Sequence, residues 1–486
     1  MLSRHVSIID IGSNSIRLVI YEEASIVPSV IYNEKVKVGL GKNLHINNYI
    51  EKDLIEKAYQ VIKRFTVIIK TMKCKFIYTV ATAAIRNSKN SNAILKKLKE
   101  TGLKIKILSG NEEALYSYYG MQLGFTKING IIGDIGGGSL ELALKTKEKN
   151  IKVSSMSTGI LVLSNEFSDN LDKIYKSIQK GLIQNGWENQ AKAKSFYATG
   201  GGWRSIARVG IEIYNYPIPI IHQYYLKIKT LKNLISLIIE TSEKDLALLK
   251  SIPKDRIPFL KISAKSLEAV VDTIGAKDIY FSSYGLREGL LSKFFINEKY
   301  KLNSTFSNIG FYFNSQTDRA GSNNKSLTNW ATKFSITENI DLKLLNIVAS
   351  LSNISEKEHP EFKAQNAFFK ITRKTLLPFD HVTRAKVAIA TYLIYNKNLR
   401  STKVKKIIKF LSDAEFEESL ILGNLIRLGI TISGGATNLL KQSKIDILDD
   451  TIILEIPNFL LNKNINLRLS DLARIKSYQS KIITSH

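Results

Sequence analysis

Two short segments hold acidic and glycine residues at spacings that could grip phosphate. IIDIGSNSIRLVIY covers residues 8–21 and IGDIGGGSLELAL covers residues 132–144. Aligned, Asp10 falls on Asp134, Gly12 on Gly136, Ser15 on Ser139 and Leu18 on Leu142. Each segment reads as strand, tight turn, strand. Glycine at the turn lets the backbone bend sharply and approach a ligand, so that successive amides around Gly12, Asn14 and Ser15, or Gly136, Gly137, Gly138 and Ser139, can face phosphate oxygens. An aspartate beside an anion site calls for a cation, and a divalent metal bridging carboxylate and phosphate supplies one. A third glycine cluster, Gly200-Gly201-Gly202, follows the strand-like run SFYAT. One such turn alone is an ordinary hairpin turn. Two at matching positions in two similar halves are read instead as facing walls of one cleft.

Further residues could supply chemistry beside the turns. SGNEEALYSYYG (109–120) opens a helix, with Asn111 as the expected N-cap and Glu112 and Glu113 in the first turn. Neighbouring helical residues diverge by about a quarter turn, so one of the two glutamates can face a cleft. Glu141 lies on the returning strand and shares a face with Ser139. Arg17 stands where the second hairpin carries Glu141, either as a phosphate clamp or as a surface charge. Arg86, in ATAAIRNSKN, follows small and apolar residues, where a guanidinium needs an anion: a phosphate held bidentately, or a carboxylate in a structural salt bridge.

The elements that must position these residues alternate between strand and helix over residues 1–300. Strand runs VSIIDIG and RLVIY precede a helix over 51–72, whose Leu54, Ile55, Ala58, Val61, Ile62, Phe65, Ile68 and Ile69 form one apolar stripe. Strand KFIYTVAT, helix NAILKKLKE and strand LKIKILS follow. The cycle restarts after residue 130 with NGIIGDIG and LELALK, then SFYATGG, helices over 230–249 and 256–274, strand DIYFSS and a helix over 285–295. Beyond about 305, Gly, Ser and Asn punctuate a linker-like stretch, and helical patterns cover 340–352, 358–373, 381–396 and 414–428, with a short strand TIILEIP near the end.

The 70 Lys and Arg against 43 Asp and Glu leave a net charge of +27, which attracts polyanions or reflects biased codon usage. The single cysteine, Cys74, excludes an internal disulfide and fits a reducing cytoplasm. The start MLSRHVSIIDIG lacks a signal-peptide pattern, and no apolar run is long enough to span a membrane. The basic run Lys397, Arg400, Lys403, Lys405, Lys406 and Lys409 could guide a long anion or simply form a solvated helix face.

IDIGSNSIRLVI, VATAAIRNSKN, ILSGNEEA, GDIGGGSLEL, the STG at 157–159 and YATGGGWRSIA, in that order, resemble the exopolyphosphatase/guanosine pentaphosphate phosphohydrolase family. The resemblance implies an α/β fold of two actin-like (ribonuclease H-like) lobes around a cleft, here 1–124 and 125–304, followed by a mainly α-helical C-terminal domain, 305–486, of degenerate HD type. It also implies a cytoplasmic, homodimeric hydrolase that removes the terminal phosphate of inorganic polyphosphate, or alternatively the 5′-phosphate of guanosine pentaphosphate, with no membrane and no specific nucleic acid as partner. Glu113 corresponds to the family's catalytic glutamate, Asp134 and Glu141 to acidic positions linked with Mg²⁺, and Arg86 is expected near the reacting phosphorus. Asp10, Gly12, Asn14, Ser15, Arg17, Gly136, Gly137, Gly138, Ser139, Gly200 and Gly201 are expected to bind phosphate. In the C-terminal part, Asn353 stands where an HD-type ligand could be an aspartate, and Asp380-His381 is in reversed order, so a second metal centre at His359 or His381 is not expected. Two other readings are a polyanion- or alarmone-binding regulator with a vestigial site, and an ATP-using sugar kinase, which bulky Trp203 disfavours.

Overall fold

The structure, a computed structural model, describes residues 4–23, 28–148, 150–292, 324–374 and 379–485. The chain divides into two units, residues 1–300 and 301–486. The boundary expected at 304/305, the linker-like stretch around it and the end of the 285–295 helix lie outside the described residues.

The first unit contains the same five-stranded motif twice. In the first sheet the strands are β1 (Val6–Ile11), β2 (Ser15–Tyr21), β3 (Val30–Lys37), β4 (Phe76–Ala81) and β5 (Ile105–Ile107), in the order β3-β2-β1-β4-β5. The first three form an antiparallel meander, and β4 and β5 run parallel to β1. In the second sheet, β6 (Gly130–Ile135), β7 (Leu140–Lys145), β8 (Ile151–Met156), β9 (Ser195–Gly200), β10 (Tyr224–Lys227) and β11 (Asp278–Phe281) follow the order β10-β11-β9-β6-β7-β8. The meander β6-β7-β8 and the parallel strands β9 and β11 repeat the first pattern, with β10 added at the edge.

Both β1 and β6 are central strands, which explains their unbroken apolar runs. Ile9 and Ile11 face the stripe Ala58, Ile62, Phe65 and Ile69 of the helix Lys52–Thr71, while Val6 and Ile8 face Leu290 and Leu291 of the helix Leu286–Ser292. That last helix, assigned from sequence to the second lobe, therefore packs on the first sheet. Fully burying a side chain such as Phe65 contributes about 1.5–3 kcal/mol.

Several local expectations shift for identifiable reasons. The helix expected to start at Asn111 spans Gly110–Gly124 and is capped by Ser109, whose hydroxyl accepts from the Glu112 amide while Glu112 accepts from the Ser109 amide. The Ser-x-x-Glu pattern wins over the single Asn. The 230–249 helix ends at Glu240 and resumes at Glu243 behind a Ser242 cap, and Pro258 confines 254–259 to a 3₁₀ turn ahead of the helix Leu260–Ile274. Strands β3, β8 and β10 were not anticipated.

The second unit is mainly helical over its described residues. It contains helices at Asn324–Thr337, Leu342–Ser350, Lys363–Arg373, His381–Tyr395, Thr402–Ile408, Asp413–Ser433 and Lys463–Ala473. Three strands, β12 (Lys444–Leu448), β13 (Thr451–Pro457) and β14 (Gln479–Ser485), form one small sheet, of which only β13 was expected. Asp380 caps the helix that follows it, accepting from the Thr383 amide at 2.6 Å, and His381 is buried. Among the described residues no helix is long and apolar enough to cross a membrane.

Candidate active site

The two expected turns adopt one geometry. Gly12 donates its amide to the Ser15 carbonyl at 3.1 Å, and Gly136 donates to the Ser139 carbonyl at 2.9 Å. Their strands place Asp10 directly opposite Arg17 and Asp134 directly opposite Glu141. Residues opposite one another in an antiparallel pair project from the same face, so the first hairpin carries a compensated pair and the second carries two like charges.

The carbonyls behind each turn are already engaged. Those of Ser13 and Asn14 accept from Gly41, Val38 and Gly39, and those of Gly136 and Gly137 accept from Ile160 and Leu161 at the start of the helix Ile160–Phe167. The turns thus keep amide donors, not carbonyl acceptors, for the cleft. They also approach closely: a Cβ on Gly138 would stand 2.9 Å from both Ala83 Cβ and Ser13 Oγ. The third turn depends on Gly200, whose φ of 98° suits glycine, and it opens the helix Gly201–Ile213 toward the same space.

These elements enclose a cavity of about 570 Å³. Of the expected residues, Asp10, Gly12, Asn14, Ser15, Arg17, Glu113, Asp134, Gly136, Gly137, Gly138, Ser139, Glu141, Gly200 and Gly201 all line it. Arg86 does not. It stands behind Glu113, paired with that carboxylate through Nη1 and also donating to the Leu108 carbonyl at 2.8 Å. Glu112 is occupied by the helix cap and by Lys106, which leaves Glu113 as the inward glutamate. Trp203 is turned into the core, with Nε1 donating to Ser266, so it does not fill the cleft.

Burial sets the electrostatics of the carboxylates. The Glu113 carboxyl is pushed up to about 7 by burial, with Arg86 opposing the shift and Asp10 and Asp134 adding to it. Asp134 is raised by burial, against the pull of Arg204 and of the Ser117 hydroxyl, which donates to Oδ2 at 2.8 Å. Glu141 is raised well above the usual range by burial and by Glu113, although Ser139 and Ser155 donate to it. Crowded, desolvated carboxylates of this kind bind a proton or a cation readily.

Sequence reasoning missed much of the cationic wall. Arg204, Arg208, Arg256, Arg287 and Lys35 line the cavity with Arg17. Arg287 donates to Asp10 Oδ2 at 3.0 Å from a position 277 residues away, and Arg204 donates to the Ser282 carbonyl at 2.9 Å. Burial, then neighbouring arginines, lower Arg204 to about 10, and burial with Arg256 lowers Lys35 to about 8. Ser117, one helical turn after Glu113, was legible as an i+4 partner on the same face.

A divalent cation fits part of this set. Among the described residues no three His, Cys, Asp or Glu side chains gather around one point. Asp134 and Glu141 nevertheless offer adjacent hard oxygens with like charges to neutralise, which suits an ion that keeps waters and shares a substrate phosphate.

The chain is similar to several known proteins. It is 32% identical over 199 residues to a bifunctional 3-dehydroquinate synthase/phosphatase of Fusobacterium nucleatum, a match that covers 39% of this chain and 29% of that larger protein. It is 25% identical over 304 residues to exopolyphosphatase 1 of Mycobacterium leprae, covering 59% of this chain and 88% of that one. Two solved structures share the fold: the Ppx/GppA family member of Aquifex aeolicus (TM-score 0.52, 23% identity) and an exopolyphosphatase from Cytophaga hutchinsonii (TM-score 0.53, 21% identity). Each covers 61% of this chain and 99% of its own. The model of the Ppx/GppA phosphatase family matches residues 19–297, a stretch that holds Glu113, the second hairpin and the third glycine turn, and the chain belongs to that family.

Proposed function

We propose that the protein is an exopolyphosphatase that hydrolyses the terminal phosphate of inorganic polyphosphate. The observation that carries this reading is Glu113: a carboxyl near pH 7, held by Arg86, facing a cavity walled by glycine-turn amides and cations. A general base works best when its pKa lies near the working pH.

In this reading the terminal phosphate lies against the amides of the two hairpins. Glu113 takes the proton from a water that attacks the end phosphorus in line, and the rest of the chain leaves as the shortened phosphate. Arg86 orients Glu113 and keeps it partly ionised. Arg17, Lys35, Arg208 and Arg256 neutralise the following phosphates, because phosphoryl transfer depends mainly on positioning and charge compensation. Mg²⁺ held by Asp134 and Glu141 would supply further charge neutralisation. Among the described residues, Phe259 is the only aromatic lining the cavity, which favours an inorganic chain over a stacked purine.

Release of orthophosphate from long-chain polyphosphate and from guanosine pentaphosphate, measured side by side on purified protein, tests the proposal. Faster turnover of polyphosphate is expected. Turnover of guanosine pentaphosphate alone would reassign the substrate, and turnover of neither would make the protein a binding regulator.

A further inference from the structure

A second cluster of cations lies in the C-terminal unit. The helices Asp413–Ser433 and Lys463–Ala473 pack together, and near their contact Arg427 and Arg468 face Asp471. Asp471 is shared among three cations, none in close contact: Arg468 Nη1 at 3.5 Å, Arg474 Nη1 at 3.6 Å and Lys397 Nζ at 3.8 Å. Four positive side chains therefore surround one carboxylate.

Arg427 is the unusual member. Its Nη1 is sealed from solvent and has no hydrogen-bond acceptor among the described residues. A buried guanidinium ordinarily finds a carboxylate, a carbonyl or an ordered anion, because an unmatched buried charge is costly. Burial, and then the neighbouring Arg468, lower its proton affinity to about 10, and Asp471 only partly offsets this. The residue as a whole is half-buried. Arg468 donates to Asp471 Oδ2 at 3.5 Å through Nη1, and the Arg474 side chain is largely exposed, so both have further N–H groups to offer a second anion.

We propose that Arg427, Arg468, Arg474 and Lys397 form a binding site for a phosphate group, separate from the hydrolytic cavity. A tetrahedral oxyanion presents several acceptors at once and matches the planar, forked donors of arginine. Asp471 then serves to hold the cations in place and to limit their mutual repulsion. The same chemistry is offered by free orthophosphate and by a phosphate unit within a chain.

The test uses the full-length protein with divalent metal chelated, so that turnover is arrested. Orthophosphate, tripolyphosphate and long-chain polyphosphate are titrated by calorimetry into the parent, Arg427→Met and Arg468→Gln. Losing a charge-assisted hydrogen bond should weaken one class of binding site by about 10- to 100-fold in both variants. With metal restored, turnover of a short substrate should stay within about twofold, since neither residue lines the cavity. Loss of orthophosphate binding identifies the free ion as ligand, and loss confined to the chains identifies a chain unit; both support the site. Arg427→Met should melt no lower than the parent in phosphate-free buffer, because the removed charge had no acceptor. If Arg427→Met fails to fold, Arg468→Gln decides alone. Unchanged binding of all three probes in a folded variant would overturn the proposal.

Discussion

Replacing Glu113 by Gln keeps the side chain's shape and removes its ability to accept a proton. Base catalysis contributes about 10²–10⁴-fold, so the barrier should rise by about 3–5 kcal/mol while substrate binding is largely retained. The pH profile sharpens this expectation. With the carboxyl near 7, about one molecule in ten carries ionised Glu113 at pH 6 and about nine in ten at pH 8, so kcat/KM should climb roughly tenfold between them. That acid limb should vanish in Glu113→Gln. In Arg86→Met it should move to higher pH, because the guanidinium that favours the ionised form is gone. Glu112→Gln should instead leave turnover nearly intact and cost less than about 1 kcal/mol of stability, because Gln can still accept from the Ser109 amide and only the exposed Lys106 pair is lost. Orthophosphate release across about pH 5.5–9 measures all four proteins. An acid limb that persists in Glu113→Gln, or a larger loss in Glu112→Gln, would refute the assignment.

Three further outcomes follow from the same geometry. Asp134→Asn and Glu141→Gln should each raise the Mg²⁺ concentration needed for half-maximal activity, whereas Asn353→Ala should not, and activity resistant to a chelator would contradict the metal reading. Glu113, Asp134 and Glu141 are all raised in the folded state, so folding favours their protonated forms; the stability this contributes is present below the ordinary carboxyl range and is lost as pH rises through each folded value, about 7 for Glu113. Metal-free protein should therefore melt lower at pH 8 than at pH 5.5, with Mg²⁺ restoring the difference. Gly138→Ala should place a methyl between the two turns, 2.9 Å from Ala83 Cβ and Ser13 Oγ, and impair turnover at a strain of about 1–3 kcal/mol, with far-ultraviolet circular dichroism unchanged.

Much of the cleft was legible because it is built from local signals. Strand, glycine turn and strand are contiguous at 8–21 and 132–144, and their repetition announced two equivalent lobes whose sheets indeed share one strand order. Even the divergence of Arg17 from Glu141 was readable, since both face an aspartate across a hairpin. The cationic wall was not readable in this way. Arg287 meets Asp10, and Arg204 meets Ser282, only after distant strands have been brought together, and no local spacing encodes that encounter. Strands β3 and β8 were missed because their exposed or half-buried faces carry polar residues and blur the apolar pattern. Arg86 shows the opposite limit. Its need for an anion was inferred from its setting, but only the folded arrangement shows that anion to be Glu113.

The central claim is hydrolysis of inorganic polyphosphate from the chain end, and chains blocked at both termini test it most directly. Open and end-blocked polyphosphate of equal length are incubated with the protein and Mg²⁺, and both orthophosphate release and the length of the remaining chain are followed. Orthophosphate should come from the open chains only, by water attack that Glu113→Gln suppresses. Shortening of the blocked chains, or equal release by Glu113→Gln, would contradict the account.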